Sequence, residues 1–172
     1  MELKEKTPHT ILNEIIEAAK KCGQVMLQAD RENFGIKDKA GKANFVTKYD
    51  CKIQKMLEKK LSEIFPEAEF LGEEEDCRIN RNAEYIFVVD PIDGTTNFIK
   101  DYHMSCVSIG LIRNGKRYMG VVHNPYLNET FYAISGEGAY MNGNAIHVSK
   151  DDLANSAGRI PFTSSLPIPI SS

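Results

Sequence analysis

Tyr85-Ile86-Phe87-Val88-Val89-Asp90-Pro91-Ile92-Asp93-Gly94-Thr95-Thr96-Asn97-Phe98 is the stretch that decides the fold and the chemistry of this chain. Tyr85 to Val89 form a near-continuous apolar run suited to a buried central strand. The run ends abruptly in Asp90 and Asp93, with Pro91 between them and Gly94 just after. Carboxylates at the end of a buried strand are costly unless neutralised, and a bound cation can neutralise them. Gly94 permits a sharp turn, and Thr95-Thr96 could open a helix whose free amides face the same spot. Carboxylates beside exposed amides suit a metal ion that itself carries a phosphate. Asp90 and Asp93 could also do no more than cap a turn, and the stretch alone leaves both readings open.

A second acidic stretch, Gly72-Glu73-Glu74-Glu75-Asp76, follows a short strand at Glu69-Phe70-Leu71. Taken alone it is a solvated acidic loop. It gains interest because it too sits at a strand end. Oxygen donors without histidine or cysteine point to Mg²⁺ or Mn²⁺ rather than zinc. His9, His103, His123 and His147 lack metal-ligand spacing, and no Walker A sequence, Gly-x-Ser-x-Gly elbow or Cys/His pairing is present.

Upstream, Ile11, Ile15, Ala18, Ala19, Cys22, Val25 and Met26 recur at helical steps, predicting a helix from about Thr10 to Ala29 with Thr10 as its cap. Lys37 to Asn44 is polar and aperiodic, the pattern of a mobile loop. A second helix starts near Thr47 or Asp50, buries Ile53, Met56, Leu57, Leu61 and Ile64, and stops at Pro66. Its lysines, Lys52, Lys55, Lys59 and Lys60, form a solvated face. Downstream, strands are predicted at Ser105 to Arg113, Arg117 to His123, Glu129 to Ile134 and Ala139 to Met141. Asn114-Gly115 and Asn142-Gly143 favour tight hairpins, so these strands form an antiparallel meander. Gly136 and Gly138 are turn residues, since no helix follows them to make a nucleotide loop. The predicted class is α+β, two helices packed on a mainly antiparallel sheet. Residues 8–149 form one domain, and 150–172 an irregular tail rich in proline and serine.

Composition narrows the class of function. The chain has 172 residues, 42% hydrophobic and 26% charged, and a formal net charge of −3. That balance is ordinary for a globular protein and gives no basic footprint for nucleic acid or an anionic membrane. Met1 to Thr10 lacks the apolar core of a secretory signal, and no apolar run approaches membrane-span length. A cytoplasmic location is therefore expected, with Cys22, Cys51, Cys77 and Cys106 as free thiols.

Asp-Pro-Ile-Asp-Gly-Thr-Thr-Asn-Phe resembles the signature of the inositol monophosphatase family, and supporting motifs fall in order. Val46-Thr47-Lys48-Tyr49-Asp50 is similar to the family's V-T-x-x-D, and Phe70-Leu71-Gly72-Glu73-Glu74 to its F-[IL]-G-E-E. Val107-Ser108-Ile109-Gly110 and Gly136-x-Gly138-Ala139-x-x-Asn142-Gly143 continue the likeness, which covers roughly Ile11 to Ser149. The resemblance implies the N-terminal half of a layered αβαβα sugar-phosphatase-like fold. It also implies Mg²⁺-dependent hydrolysis of a small phosphate monoester, inositol 1-phosphate first, with Mn²⁺ as a substitute metal. Fructose 1,6-bisphosphate, an adenosine bisphosphate or NADP are the alternative substrates, and a non-catalytic metal-binding fragment is the alternative from another class.

Carried over by the same resemblance, Glu73, Asp90 and the Ile92 carbonyl would hold the first Mg²⁺, and Asp90 and Asp93 a second. Glu73 and Thr95 would orient and activate the attacking water, while Asp50 would support a further, weaker metal position. The Gly94 and Thr95 amides would hold phosphate oxygens beside Asp93, and Lys39 would help shield phosphate charge. Family members are commonly dimers, so a homodimer is the assembly it implies. The family's W-D-x-[AT]-A-[GA] motif, whose aspartate completes the second metal site, has no counterpart in these 172 residues, which contain no tryptophan. The C-terminal α/β half is therefore expected to be absent, and the isolated chain to be largely inactive.

Overall fold

Helix α1 (Pro8–Leu27) starts where Thr7 Oγ1 accepts a hydrogen bond from the Thr10 amide at 3.3 Å. The start is two residues earlier than predicted, and Thr7 rather than Thr10 is the cap. Pro8 explains the shift: it has no N–H to leave unpaired, and its fixed φ suits a first helical turn. The apolar stripe begins only at Ile11, so periodicity alone sets the start too late. The helix also ends earlier than predicted, at Leu27, with Gln28 as C-cap. The computed structural model describes residues 6–38, 45–73, 80 and 83–149.

Helix α2 (Lys48–Ile64) opens with a capping box in which Thr47 and Asp50 satisfy each other's backbone donors. It ends before Phe65 and Pro66. Strands β1 (Lys37–Asp38) and β2 (Phe45–Val46) pair antiparallel just before it. The predicted loop over Lys37 to Asn44 is thus flanked by a two-rung ladder that short polar runs do not announce.

Among the described residues the main sheet has seven strands in chain order: β3 (Glu69–Gly72), β4 (Tyr85–Asp93), β5 (Cys106–Arg113), β6 (Lys116–Asn124), β7 (Glu129–Ile134), β8 (Gly138–Met141) and β9 (Asn144–Ile146). Between β4 and β5 lies one helical turn and a little more, α3 (Thr95–Ile99). Strands β3 and β4 run parallel, and every later pair is antiparallel. The hairpin turns are built as their sequence demands, with positive φ at Asn114 and Gly115 and at Asn142 and Gly143. Strand β9 was not expected. Its three residues are too short to show a period.

Both long helices pack on one face of the sheet, α1 over β5 and β6 and α2 over β3 and β4. The core between the layers holds Ile15, Ala19, Met26, Ile53, Leu57 and Leu61 against Phe87, Val89, Leu111 and Val121. The α+β arrangement is as the sequence predicts. Among the described cysteines, Cys22, Cys51 and Cys106 are free, while Cys77 lies outside the described residues. Burial pushes the Cys22 thiol up to about 12, so it behaves as an apolar core group. No helix among the described residues is long and apolar enough to cross a membrane.

Candidate active site

Parallel pairing of β3 with β4 sets the site. The register aligns Leu71 with Val88 and Gly72 with Val89. Continued by one residue, it brings Glu73 beside Asp90, although the two lie in different sequence motifs. Beyond Asp90 the ladder to β5 becomes irregular, and pairing resumes only at Asp93 with Cys106. That break lets the chain double back through Asp90-Pro91-Ile92-Asp93 instead of running straight out of the sheet.

Gly94 then makes the turn with φ +86°, a conformation that strains any other L-residue. A side chain there would also press on the Met104 carbonyl at 3.0 Å. Helix α3 follows at once, as the Thr-Thr pair suggested. Thr95 Oγ1 lies 3.1 Å from Asp50 Oδ1 and 3.0 Å from the Ile92 carbonyl, and its single hydrogen is shared between these two acceptors.

Asp50 is 1% exposed, and its other carboxylate oxygen accepts from the Thr47 amide at 2.8 Å and from the Thr47 hydroxyl. The α2 cap and the first residue of α3 are therefore tied through one buried carboxylate. Asp90 Oδ1 accepts from the Ile92 amide at 3.1 Å. Cys106 Sγ lies 3.8 Å from Asp93 Oδ2, a long sulfur contact.

Glu73, Asp90, Ile92, Asp93, Gly94 and Thr95 line one open cleft of about 230 Å³, together with Phe45, Thr96 and Asn97. The electrostatics are those of crowded acids. Burial, then the charge and hydrogen bond of Glu73 and the charge of Asp93, push the Asp90 carboxyl up to about 7. Burial and the charges of Asp93 and Asp90 likewise push the Cys106 thiol up to about 11. Among the described residues that line the cleft none is cationic, and hard oxygen donors of this kind match Mg²⁺ or Mn²⁺. Among the described residues, no three histidine, cysteine, aspartate or glutamate groups already stand as a ready cation cage.

Of the residues singled out from sequence, Glu73, Asp90, Ile92, Asp93, Gly94 and Thr95 converge on the cleft, and Asp50 supports it from behind through Thr95. Lys39 lies outside the described residues, as do Glu74, Glu75, Asp76 and the segment 150–172. Phe45 and Asn97 line the cleft without having been singled out. Asn97 belongs to the signature, and its side-chain amide donates to the Met104 carbonyl at 2.8 Å. No local pattern marks Phe45, which reaches the site from the small ladder.

A sequence model of the inositol monophosphatase family matches residues 7–166. The chain belongs to this family. It is 39% identical over 140 residues to inositol monophosphatase 2 of Solanum lycopersicum, a match covering 79% of this chain and 52% of that protein. The fold superposes on the crystal structure of the extragenic suppressor protein suhB from Bartonella henselae with a TM-score of 0.77 and 34% identity. That match covers 82% of this chain and 55% of the solved one. An IMPase/NADP phosphatase solved in complex with Mg²⁺ and phosphate gives a TM-score of 0.75 at 28% identity, over 83% of this chain and 54% of that one. The α+β fold is therefore that of the inositol monophosphatase family. The chain spans about half the length of the curated relatives it matches.

Proposed function

We propose that this inositol monophosphatase-family chain carries the metal-binding and water-positioning part of a Mg²⁺-dependent phosphate-monoester hydrolase, with inositol 1-phosphate as its substrate. The observation that carries the reading is the juxtaposition of Glu73, Asp90 and Asp93 at adjacent strand ends, where they line one cleft with the Ile92 carbonyl and Thr95. Glu73, Asp90, Asp93 and the Ile92 carbonyl are the oxygen donors that would hold the cation. When bound there, Mg²⁺ supplies positive charge against the phosphate oxygens and acidifies water near neutral pH.

The chain's own groups account for the remaining requirements of phosphoryl transfer, which are positioning and charge more than covalent help. The Glu73 carboxylate accepts a proton from the attacking water. Thr95 Oγ1, held between Asp50 and the Ile92 carbonyl, fixes the direction of that water's approach. The Gly94 and Thr95 amides face phosphate oxygens from the turn that Gly94 alone accommodates. Lys39 adds positive charge toward the phosphate. Water is the nucleophile, so no phosphoenzyme forms.

Domain organisation enters as part of the same proposal. Residues 8–149 form the metal-binding unit, and a second metal position there would need one more carboxylate than Asp90 and Asp93 supply. The test is Mn²⁺ binding and phosphate release from inositol 1-phosphate by the purified chain, with Asp90→Asn as control. Binding is expected in the wild type, weakening as pH falls through about 7 because protonated Asp90 cannot ligate, and it is expected to vanish in the variant. Turnover should be slight. Binding that survives Asp90→Asn refutes the metal assignment, and substantial Asp90-dependent turnover refutes the need for a further carboxylate.

A further inference from the structure

Helix α3 is only five residues long, and its internal hydrogen bonds cannot hold it in place. Isolated helices need about 12–15 residues even to be marginal in water. Its position must therefore come from what grips it. Phe98 is fully buried and meets Phe34 edge-on at 5.2 Å and Tyr49 at 6.0 Å. On the outer side, Arg31 Nη1 donates to the Phe98 carbonyl at 2.7 Å, and Arg31 Nη2 pairs with Asp101 Oδ1 at 2.8 Å. The same guanidinium lies over the Phe98 ring, 5.2 Å from its centroid. One planar cation thus grips a carbonyl in the last turn of α3, the ring of its only buried residue, and the loop that leaves it.

The loop is under constraint. Asp101 has φ +58° and His103 φ +57°, the left-handed region, which side chains other than glycine enter at some cost. Asp101 is held there by Arg31. His103 lies 3.3 Å from Asp101 and stacks on Tyr126 at 4.7 Å. The loop then returns so that the Met104 carbonyl lies over Gly94, gripped by Asn97. If Arg31 lets go, the last turn of α3 and the loop that leaves it lose their outer hold, and Thr95 at the other end loses the support that reaches it through Phe98.

We infer that Arg31 is a positioning residue: by latching the Phe98 carbonyl to Asp101 it holds α3 so that Thr95 stays on Asp50 and the Ile92 carbonyl. The assignment rests on the metal-site reading only for its consequence, not for its geometry. It is distinct from a stabilising surface pair, because an isolated exposed ion pair would move overall stability slightly and the site not at all. Lysine should not substitute, since a point charge cannot reproduce a fork that bonds two acceptors while lying on a ring.

The test compares the full-length chain with Arg31→Gln, Arg31→Lys and Asp101→Asn, reading amide hydrogen exchange by residue together with Mn²⁺ affinity by calorimetry. Arg31→Gln is expected to speed exchange roughly tenfold or more at the Phe98, Lys100 and Tyr102 amides, which are bonded to Gly94, Thr96 and Asn97, while amides of β5 and β6 stay as they were. Mn²⁺ affinity should fall severalfold alongside, Arg31→Lys should resemble Arg31→Gln, and Asp101→Asn should lie between. Unchanged exchange at those amides overturns the latch, whatever happens to the metal. Faster exchange with undiminished Mn²⁺ affinity overturns the positioning role. A wild-type chain that binds no Mn²⁺ refutes the metal-site reading alone, and the exchange contrast then decides whether Arg31 holds α3.

Discussion

Replacing Gly72 by alanine should disturb the point where the sheet meets the site. Gly72 is buried in β3, opposite Val89 and directly before Glu73. A Cβ placed there would lie 2.8 Å from Gln54 Nε2 and overlap the amide carbon and oxygen of the same side chain. Gln54 is 2% exposed, so its amide has no solvent to swing into and must give up its buried position. Overpacking of this kind costs about 1–3 kcal/mol. For a chain of this size that lowers Tm by about 2–4 °C per kcal/mol. The assay is urea unfolding of wild type, Gly72→Ala, Gln54→Ala and the double variant. If the clash with Gln54 is the cause, trimming Gln54 removes it, and the double variant should be more stable than the two single losses predict by about 1–2 kcal/mol. Mn²⁺ affinity should fall in Gly72→Ala and recover in part in the double variant, because Glu73 follows the displaced backbone. Additive losses, or a Gly72→Ala protein as stable as wild type, refute the reasoning.

Asp50→Ala leaves the buried Thr47 amide and hydroxyl without their acceptor, and unfolding should show a loss of about 1–3 kcal/mol. The same variant frees Thr95 from one of its two acceptors, so Mn²⁺ affinity should drop as well. His123 is buried, with Nδ1 3.0 Å from Thr130 Oγ1, and burial holds its pKa below the ordinary 6.5. Its neutral form is the one the fold accepts. Its contribution is therefore complete above pH 6.5 and is lost as pH falls from there toward the folded pKa, because the unfolded chain takes the proton first. His123→Gln should flatten that part of the stability–pH curve relative to wild type, and an unchanged slope would show that His123 does not contribute to it.

Much of the architecture is local enough to read from the chain. The apolar stripes of α1 and α2, the apolar strand before Asp90 and the Asn-Gly turns each express a short-range preference and form where their patterns lie. Val88 of that strand, expected to be buried, is nevertheless exposed because the helices cover only one face of the sheet. The errors are local too. Thr7 caps α1 because Pro8 tolerates the first turn, a signal outside the apolar period. Strand β9 and the β1–β2 ladder are too short to carry a period and exist because a neighbouring strand offers hydrogen-bonding partners.

The site divides in the same way. Asp90, Asp93, Gly94 and Thr95 stand within six residues, so their convergence follows from one turn and is legible in the sequence. That Glu73 joins them depends on the parallel register of β3 with β4, and nothing in either motif fixes that register. The Asp50–Thr95 bond spans 45 residues and exists because α2 and α3 meet over the end of β4. Arg31 grips Phe98 across 67 residues, from a segment with no motif. Sequence by itself determined which donors this protein has and which of them lie on a single turn, because backbone preferences act over a few residues. Only packing of the helices on the sheet decided which distant groups share a cleft, because burial of apolar faces brings them together without regard to their separation along the chain.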